Sequence, residues 1–219
     1  MRLSTGRTGL LHVPAGRLTT LVVSLHGAGG TAQHGLSLLL DQADSRGIAL
    51  FAPASAGPTW DAITGRGSRD TAAIDRALHE LLPRLPVPAD RLAVAGFSDG
   101  ASYALSLGLT NGDLLRRVVA FSPGFSAARE RSGRPGLLIT HGVRDDVLPI
   151  DRTSRRLVPA LLGEQYVVDY REFDGGHVVP PELAEQAADW LADERSSDTR
   201  LPPGPAGGES GAGTAPPLR

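Results

Sequence analysis

The residues Gly96-Phe97-Ser98-Asp99-Gly100 set one serine between two glycines, directly after the apolar run "RLAVA". The pattern carries chemistry in one setting, a strand that turns sharply into a helix, where glycines permit the close approach and the hydroxyl is pushed outward. Both halves of that setting are legible. "RLAVAGFS" (91–98) reads as a strand, and Asp99–Leu109 has the spacing of a helix. The turn would expose the Ser98 oxygen at one edge of a sheet. It would also gather backbone N–H groups at a helix N-terminus, where negative charge is favoured. A serine hydroxyl attacks a carbonyl only when a base removes its proton, so a histidine and a carboxylate should follow.

On a strand–turn–helix serine the partners come in the order serine, acid, histidine. Of His12, His26, His34, His79, His141 and His177, only the last two follow Ser98. His141 ends an apolar strand ahead of the obvious acids, which suits a structural role. His177 lies in "DGGHVVPPE", between the last strand and the last helix, with Gly175-Gly176 freeing the loop, and is the expected base. For the acid, "THGVRDDVLPI" offers Asp145 and Asp146, while Asp151, just before "RTSRRLV", reads as a helix cap. An oxyanion hole needs two N–H donors. Asp99 should supply one. The glycine-rich loop His26-Gly27-Ala28-Gly29-Gly30 should supply the other, through Ala28 or alternatively Gly29. That loop has neither G-x-x-x-x-G-K-[ST] nor G-x-G-x-x-G, which argues against phosphate binding.

These loops need a scaffold, and the chain spells one out. The runs 19–26, 48–54, 91–98, 117–122, 136–141 and 166–173 are β-rich and mostly continuous in apolar residues, as in parallel strands covered on both faces. Between them, 36–46, 70–82, 99–109 and 181–195 have helical spacing. Strand and helix alternate, which predicts an α/β fold with a mainly parallel central sheet between two helical layers. Residues 1–195 form the expected single domain. From Ser196 onward, "SSDTRLPPGPAGGESGAGTAPPLR" lacks the apolar side chains to offset its ordering entropy and is expected to be a disordered tail.

Composition narrows the function. The 219 residues are 41% hydrophobic and 21% charged, with a formal net charge of −2. The basic residues are all arginine and are scattered, so neither nucleic acid nor an anionic membrane is an expected partner. With no cysteine, disulfides and thiolate chemistry are excluded. No run approaches a membrane span or a signal-peptide core, and a soluble, cytoplasmic protein is expected.

Taken together, "LHGAGG", "GFSDG", "HGVRDDVLP" and "GGHVVPPE" resemble the α/β-hydrolases. More narrowly, they resemble the small, lidless carboxylesterase/phospholipase-type serine hydrolases, a group that includes acyl-protein thioesterases. The resemblance runs from about Leu18 to Leu191. It implies a three-layer sandwich without a cap domain. Its acid-loop pattern His-Gly-x-x-Asp-x-x-x-Pro, laid on His141–Pro149, selects Asp145. It also implies hydrolysis of small carboxylic esters through a Ser98–Asp145–His177 triad, with no metal or organic cofactor. One departure stands out: relatives often carry Gln-Gly-Gly after the nucleophile, where this chain has Asp99-Gly100-Ala101. Trp60 and Phe125 are each readable as pocket wall or as packing. The rival functions are a thioesterase, a lipid acyl hydrolase, and a non-catalytic binding domain that keeps the fold.

Overall fold

Apolar runs without alternation need cover on both faces, and seven strands with a helical layer on each side provide it. The computed structural model describes residues 9–61, 69–88, 90–193 and 217–219. In chain order the elements are β1 (Gly9–His12), β2 (Thr20–Leu25), α1 (Ala32–Ser37), α2 (Leu40–Arg46), β3 (Ile48–Pro53) and α3 (Arg69–Leu81). They continue with β4 (Leu92–Phe97), α4 (Asp99–Thr110), β5 (Arg117–Phe121), β6 (Gly136–Gly142), α5 (Ser154–Gly163), β7 (Val168–Phe173) and α6 (Pro181–Ala192). The sheet order is β1-β3-β2-β4-β5-β6-β7. β1 alone runs antiparallel, against β3, and every other pairing is parallel.

The strands β2 to β6 divide their side chains between two cores. Leu21, Val23 and Leu25 of β2 join Val94 of β4 and Val118 of β5 on the face covered by α3, α4 and α5. Val22, Ala93, Ala95, Val119 and Phe121 face the other way, toward α1, α2 and α6. This is a three-layer α/β sandwich, and no cap domain is seen among the described residues.

The strand order reverses between β2 and β4. After β2 the chain adds β3 on one side, then crosses to build β4 through β7 on the other. In open parallel sheets such a switch point leaves a crevice beyond the strands' C-terminal ends, and ligands bind there. The loop after β2 is the glycine-rich 26–30, and the turn after β4 carries Ser98.

Three elements differ from the sequence-based expectation. The predicted helix over 36–46 is two short helices, because Leu39 leaves the helical backbone (φ −134°, ψ 5°) and buries its side chain. β1 has no counterpart among the predicted strands, since it has only four residues and is paired on one side. Asp151 does not cap α5; it lies in a 3₁₀ turn, and its carboxylate accepts a hydrogen bond from Arg155 at 2.8 Å. Of the expected tail, residues 196–216 lie outside the described residues. Leu218 and Arg219 rest on the domain, their N–H groups donating to Asp75 Oδ1 (2.8 Å) and Asn111 Oδ1 (2.7 Å).

Candidate active site

Ser98 sits between β4 and α4 with φ 58° and ψ −120°, a left-handed conformation that L-residues rarely adopt. The neighbouring glycines make the turn possible. A Cβ on Gly96 would lie 2.2 Å from the Gly100 carbonyl oxygen, and one on Gly100 would lie 2.3 Å from the Leu25 oxygen. The elbow therefore packs backbone against backbone, against itself and against the end of β2. Ser98 N–H is tied to Phe121 O at 2.9 Å, which anchors the strained residue to β5.

The acid and histidine loops extend from the ends of β6 and β7. Val143 N–H donates to Phe173 O and Arg144 N–H to Gly175 O, both at 2.9 Å. Gly142 is needed at their crossing, because a Cβ there would lie 2.3 Å from the Gly176 oxygen. This stitching brings the side chains into line. His177 Nε2 is 2.9 Å from Ser98 Oγ, and His177 Nδ1 is 2.6 Å from Asp145 Oδ2. The His177 ring also rests against Phe97, 4.7 Å between centroids. Asp146, the other sequence candidate, is exposed.

Asp145 is buried and saturated with donors. Oδ1 accepts the N–H groups of Val147 (3.0 Å) and Leu148 (2.7 Å). Oδ2 faces His177 Nδ1 and also His141 Nε2, at 3.2 Å. Burial opposes ionisation of this carboxyl, but the Leu148 N–H and His177 together outweigh it and hold the group below the usual carboxylate range. The charged form is the stable one.

A second serine–histidine pair lies behind the same aspartate. His141 Nδ1 is 2.7 Å from Ser154 Oγ, and its Nε2 is 2.8 Å from Leu148 O. With two oxygen acceptors at Nε2, the proton belongs on that nitrogen, and the Ser154 hydroxyl donates to Nδ1. His141 and Ser154 are both fully buried, so no substrate reaches them. Ser98 and His177 are only partly buried. Access separates the two pairs. The expected structural role of His141 thus takes a definite form, a donor at the back of Asp145.

At the end of β2, Gly30 N–H donates to Gly27 O at 3.0 Å, closing a turn with Gly29 at φ 67°. Gly29 N–H is engaged, donating to Pro58 O at 2.6 Å. Ala28 is exposed on the turn. His26 beneath it donates from Nδ1 to Gly27 O (2.8 Å) and accepts Ser55 N–H at Nε2 (3.3 Å). A cavity of about 570 Å³ opens beside this loop, bordered by Ala28, Phe97, His177, Leu38, Val179 and Asp41. Trp60 is not part of its wall. It is fully buried, stacked on Tyr103 at 5.1 Å, and its indole N–H donates to His26 O. Phe125 is 40% exposed and does not border the cavity.

Residues 67–192, more than half of the chain, match the phospholipase/carboxylesterase family. The chain belongs to this family. It is an esterase-type α/β-hydrolase. Solved structures with the same fold include esterase PE8, with 23% identity and a TM-score of 0.71 over 84% of this chain and 97% of that one. The Bacillus cereus carboxylesterase has 18% identity and a TM-score of 0.68, over 86% and 94% of the two chains. Zea mays acyl-protein thioesterase 2 has 24% identity and a TM-score of 0.62, over 84% and 97%. No curated protein matches the chain. Among the described residues, no helix is long and apolar enough to cross a membrane.

The buried histidines of this hydrolase should make its stability pH-dependent. Burial, only partly offset by the Leu148 carbonyl and Asp145, holds His141 below the ordinary imidazole value of 6.5. Burial likewise lowers His26 against the opposing Gly27 carbonyl. The unfolded chain takes up these protons before the folded one does. Their contribution to stability is therefore intact above pH 6.5 and is lost as the pH falls through the lowered values. Asp145, lowered from 3.8, adds its own loss only at more acidic pH. The thermal midpoint is expected to fall between pH 7 and pH 5; calorimetry showing no change over that interval contradicts the assignment of both histidines as neutral.

Proposed function

We propose that the chain hydrolyses small carboxylic esters through an acyl-enzyme formed on Ser98. The observation that carries this reading is the unbroken line from a strained, partly exposed serine, through His177, to a buried and ionised Asp145. Nδ1 of His177 faces the carboxylate and keeps its proton, so Nε2 offers a lone pair to the Ser98 hydroxyl. Ser98 Oγ attacks the ester carbonyl as its proton moves to Nε2. The N–H groups of Ala28 and Asp99 receive the developing oxyanion. The imidazolium, stabilised by Asp145, then protonates the departing alcohol. In the second half, His177 takes a proton from water, the resulting hydroxide attacks the acyl carbon, and Ser98 leaves with the proton returned.

Gly29 N–H is already bonded to Pro58 O, which favours Ala28 as the donor from this loop. The cavity beside His177 and Ala28 is sized for one arm of a modest ester. The same residues would cleave a thioester, and the structural likeness to an acyl-protein thioesterase makes that the comparison to run. The test is hydrolysis of p-nitrophenyl esters from acetate to decanoate beside acyl thioesters of matched chain length. Faster turnover of the short oxygen esters is expected. A preference for thioesters moves the assignment to thioesterase, and inertness toward both series leaves the non-catalytic binding domain.

A further inference from the structure

The segment 54–61, between β3 and α3, provides no reacting group, yet it grips residues on both sides of the proposed oxyanion hole. On the β2 side, Ser55 N–H donates to His26 Nε2, Trp60 Nε1–H to His26 O at 2.9 Å, and Gly29 N–H to Pro58 O at 2.6 Å. On the α4 side, Thr59 Oγ1 donates to Asp99 Oδ2 at 2.6 Å. At the rear, buried Asp70 accepts Ala56 N–H (2.8 Å) and Asp61 N–H (2.9 Å). The segment is a bracket with two anchors in the body, Asp70 and Trp60, and one latch at the mouth.

We propose that the Asp99 side chain is a positioning residue, latching Thr59 so that the two oxyanion donors keep a fixed separation. This rests on the hydrolase reading above. The main chain of Asp99 supplies one donor. Its carboxylate holds Thr59, and the adjoining Pro58 carbonyl fixes Gly29 in the turn that presents Ala28 N–H. One residue thus links both halves of the hole, and its carboxylate serves the protein rather than the substrate. Asp99 directly follows Ser98, and Thr59 provides the hydroxyl that its carboxylate meets.

A displaced donor acts on the transition state more than on the bound ester. Losing an oxyanion donor outright lowers kcat by about 10²–10³, and loosening one should cost about tenfold. The experiment is a double-mutant cycle with Thr59→Val, Asp99→Ala and the pair, read as kcat and KM separately on p-nitrophenyl acetate, with Thr59→Ser as the rescue. Asp70 and Trp60 remain in place, so the fold should persist, which circular dichroism checks. Each single variant is expected to lower kcat about tenfold with KM within about twofold. The pair should fall no further than either single change, and Thr59→Ser should recover most of the rate. Independent, multiplying losses overturn the latch, as does an unchanged rate in Thr59→Val. A rise in KM at constant kcat in Asp99→Ala overturns it too, since that marks a direct contact with substrate. A wild type inert toward esters and thioesters overturns the hydrolase reading itself and this inference with it; an active wild type with multiplying losses overturns the latch alone.

Discussion

Replacement of Ser98 by Ala or Gly is expected to lower kcat on p-nitrophenyl acetate by about 10⁶, the scale on which a triad nucleophile acts. What remains is the acceleration that the oxyanion donors and binding supply without a nucleophile. The two variants should differ in stability. At φ 58° and ψ −120° a Cβ is strained, and only glycine relieves that strain. Residues held in such conformations cost about 1–3 kcal/mol, against which glycine adds about 0.4–1 kcal/mol of unfolded-state entropy. Ser98→Gly should therefore unfold at a higher temperature than Ser98→Ala, both being inactive. Kinetics and thermal unfolding of the two proteins check this together. If Ser98→Ala is the more stable, the elbow is not strained as described.

Asp145→Asn is the second large effect, expected at about 10⁴ in kcat. The reason lies in the hydrogen bonds around the carboxylate. Oδ1 accepts two backbone N–H groups, which would hold the amide oxygen of Asn on that side. The NH₂ group would then face His177 Nδ1 and donate to it. That donation places the imidazole proton on Nε2, where it opposes the Ser98 hydroxyl instead of accepting its proton. The rate falls while the geometry is kept. Asp146, exposed on the same loop, should tolerate Asn with kcat/KM within about twofold. Steady-state kinetics on the two variants decides between them, and a reversed pattern assigns the acid to Asp146.

The sheet was legible because its strands are apolar on both faces and separated by turn residues. Five of the seven, β2 to β6, stand out for that reason; β7 carries Asp169, Arg171 and Glu172 and shows only a β-rich composition, and β1 is too short, with four residues paired on one side. Ser98 and His177 stand out as candidates in the sequence because each follows a strand, beside glycines that a close backbone approach requires. The residues alone left Asp145 and Asp146 open; the family resemblance chose between them, and the fold buries one and exposes the other. The bracket 54–61 was not legible. Its bonds join Thr59 to Asp99 and Pro58 to Gly29, which depend on how β2, β3 and β4 are ordered in the sheet, and Asp70 to Ala56, which depends on how the connection after β3 folds back on α3. Trp60 shows the same limit. Its burial follows from an indole N–H that meets the His26 carbonyl and a ring that meets Tyr103, contacts no local pattern reveals. The second donor on Asp145, from His141, likewise needs the folded acid loop to bring the two together.

The most direct test of Ser98 as the nucleophile is covalent labelling with a fluorophosphonate, followed by intact mass and peptide mapping. The reagent forms a phosphorus–oxygen bond to an activated serine and expels fluoride, so it reports the nucleophile without any assumption about the natural ester. One adduct per chain on Ser98 is expected, absent in Ser98→Ala and formed far more slowly in His177→Ala. An unlabelled wild type, or an adduct on another serine, contradicts the assignment.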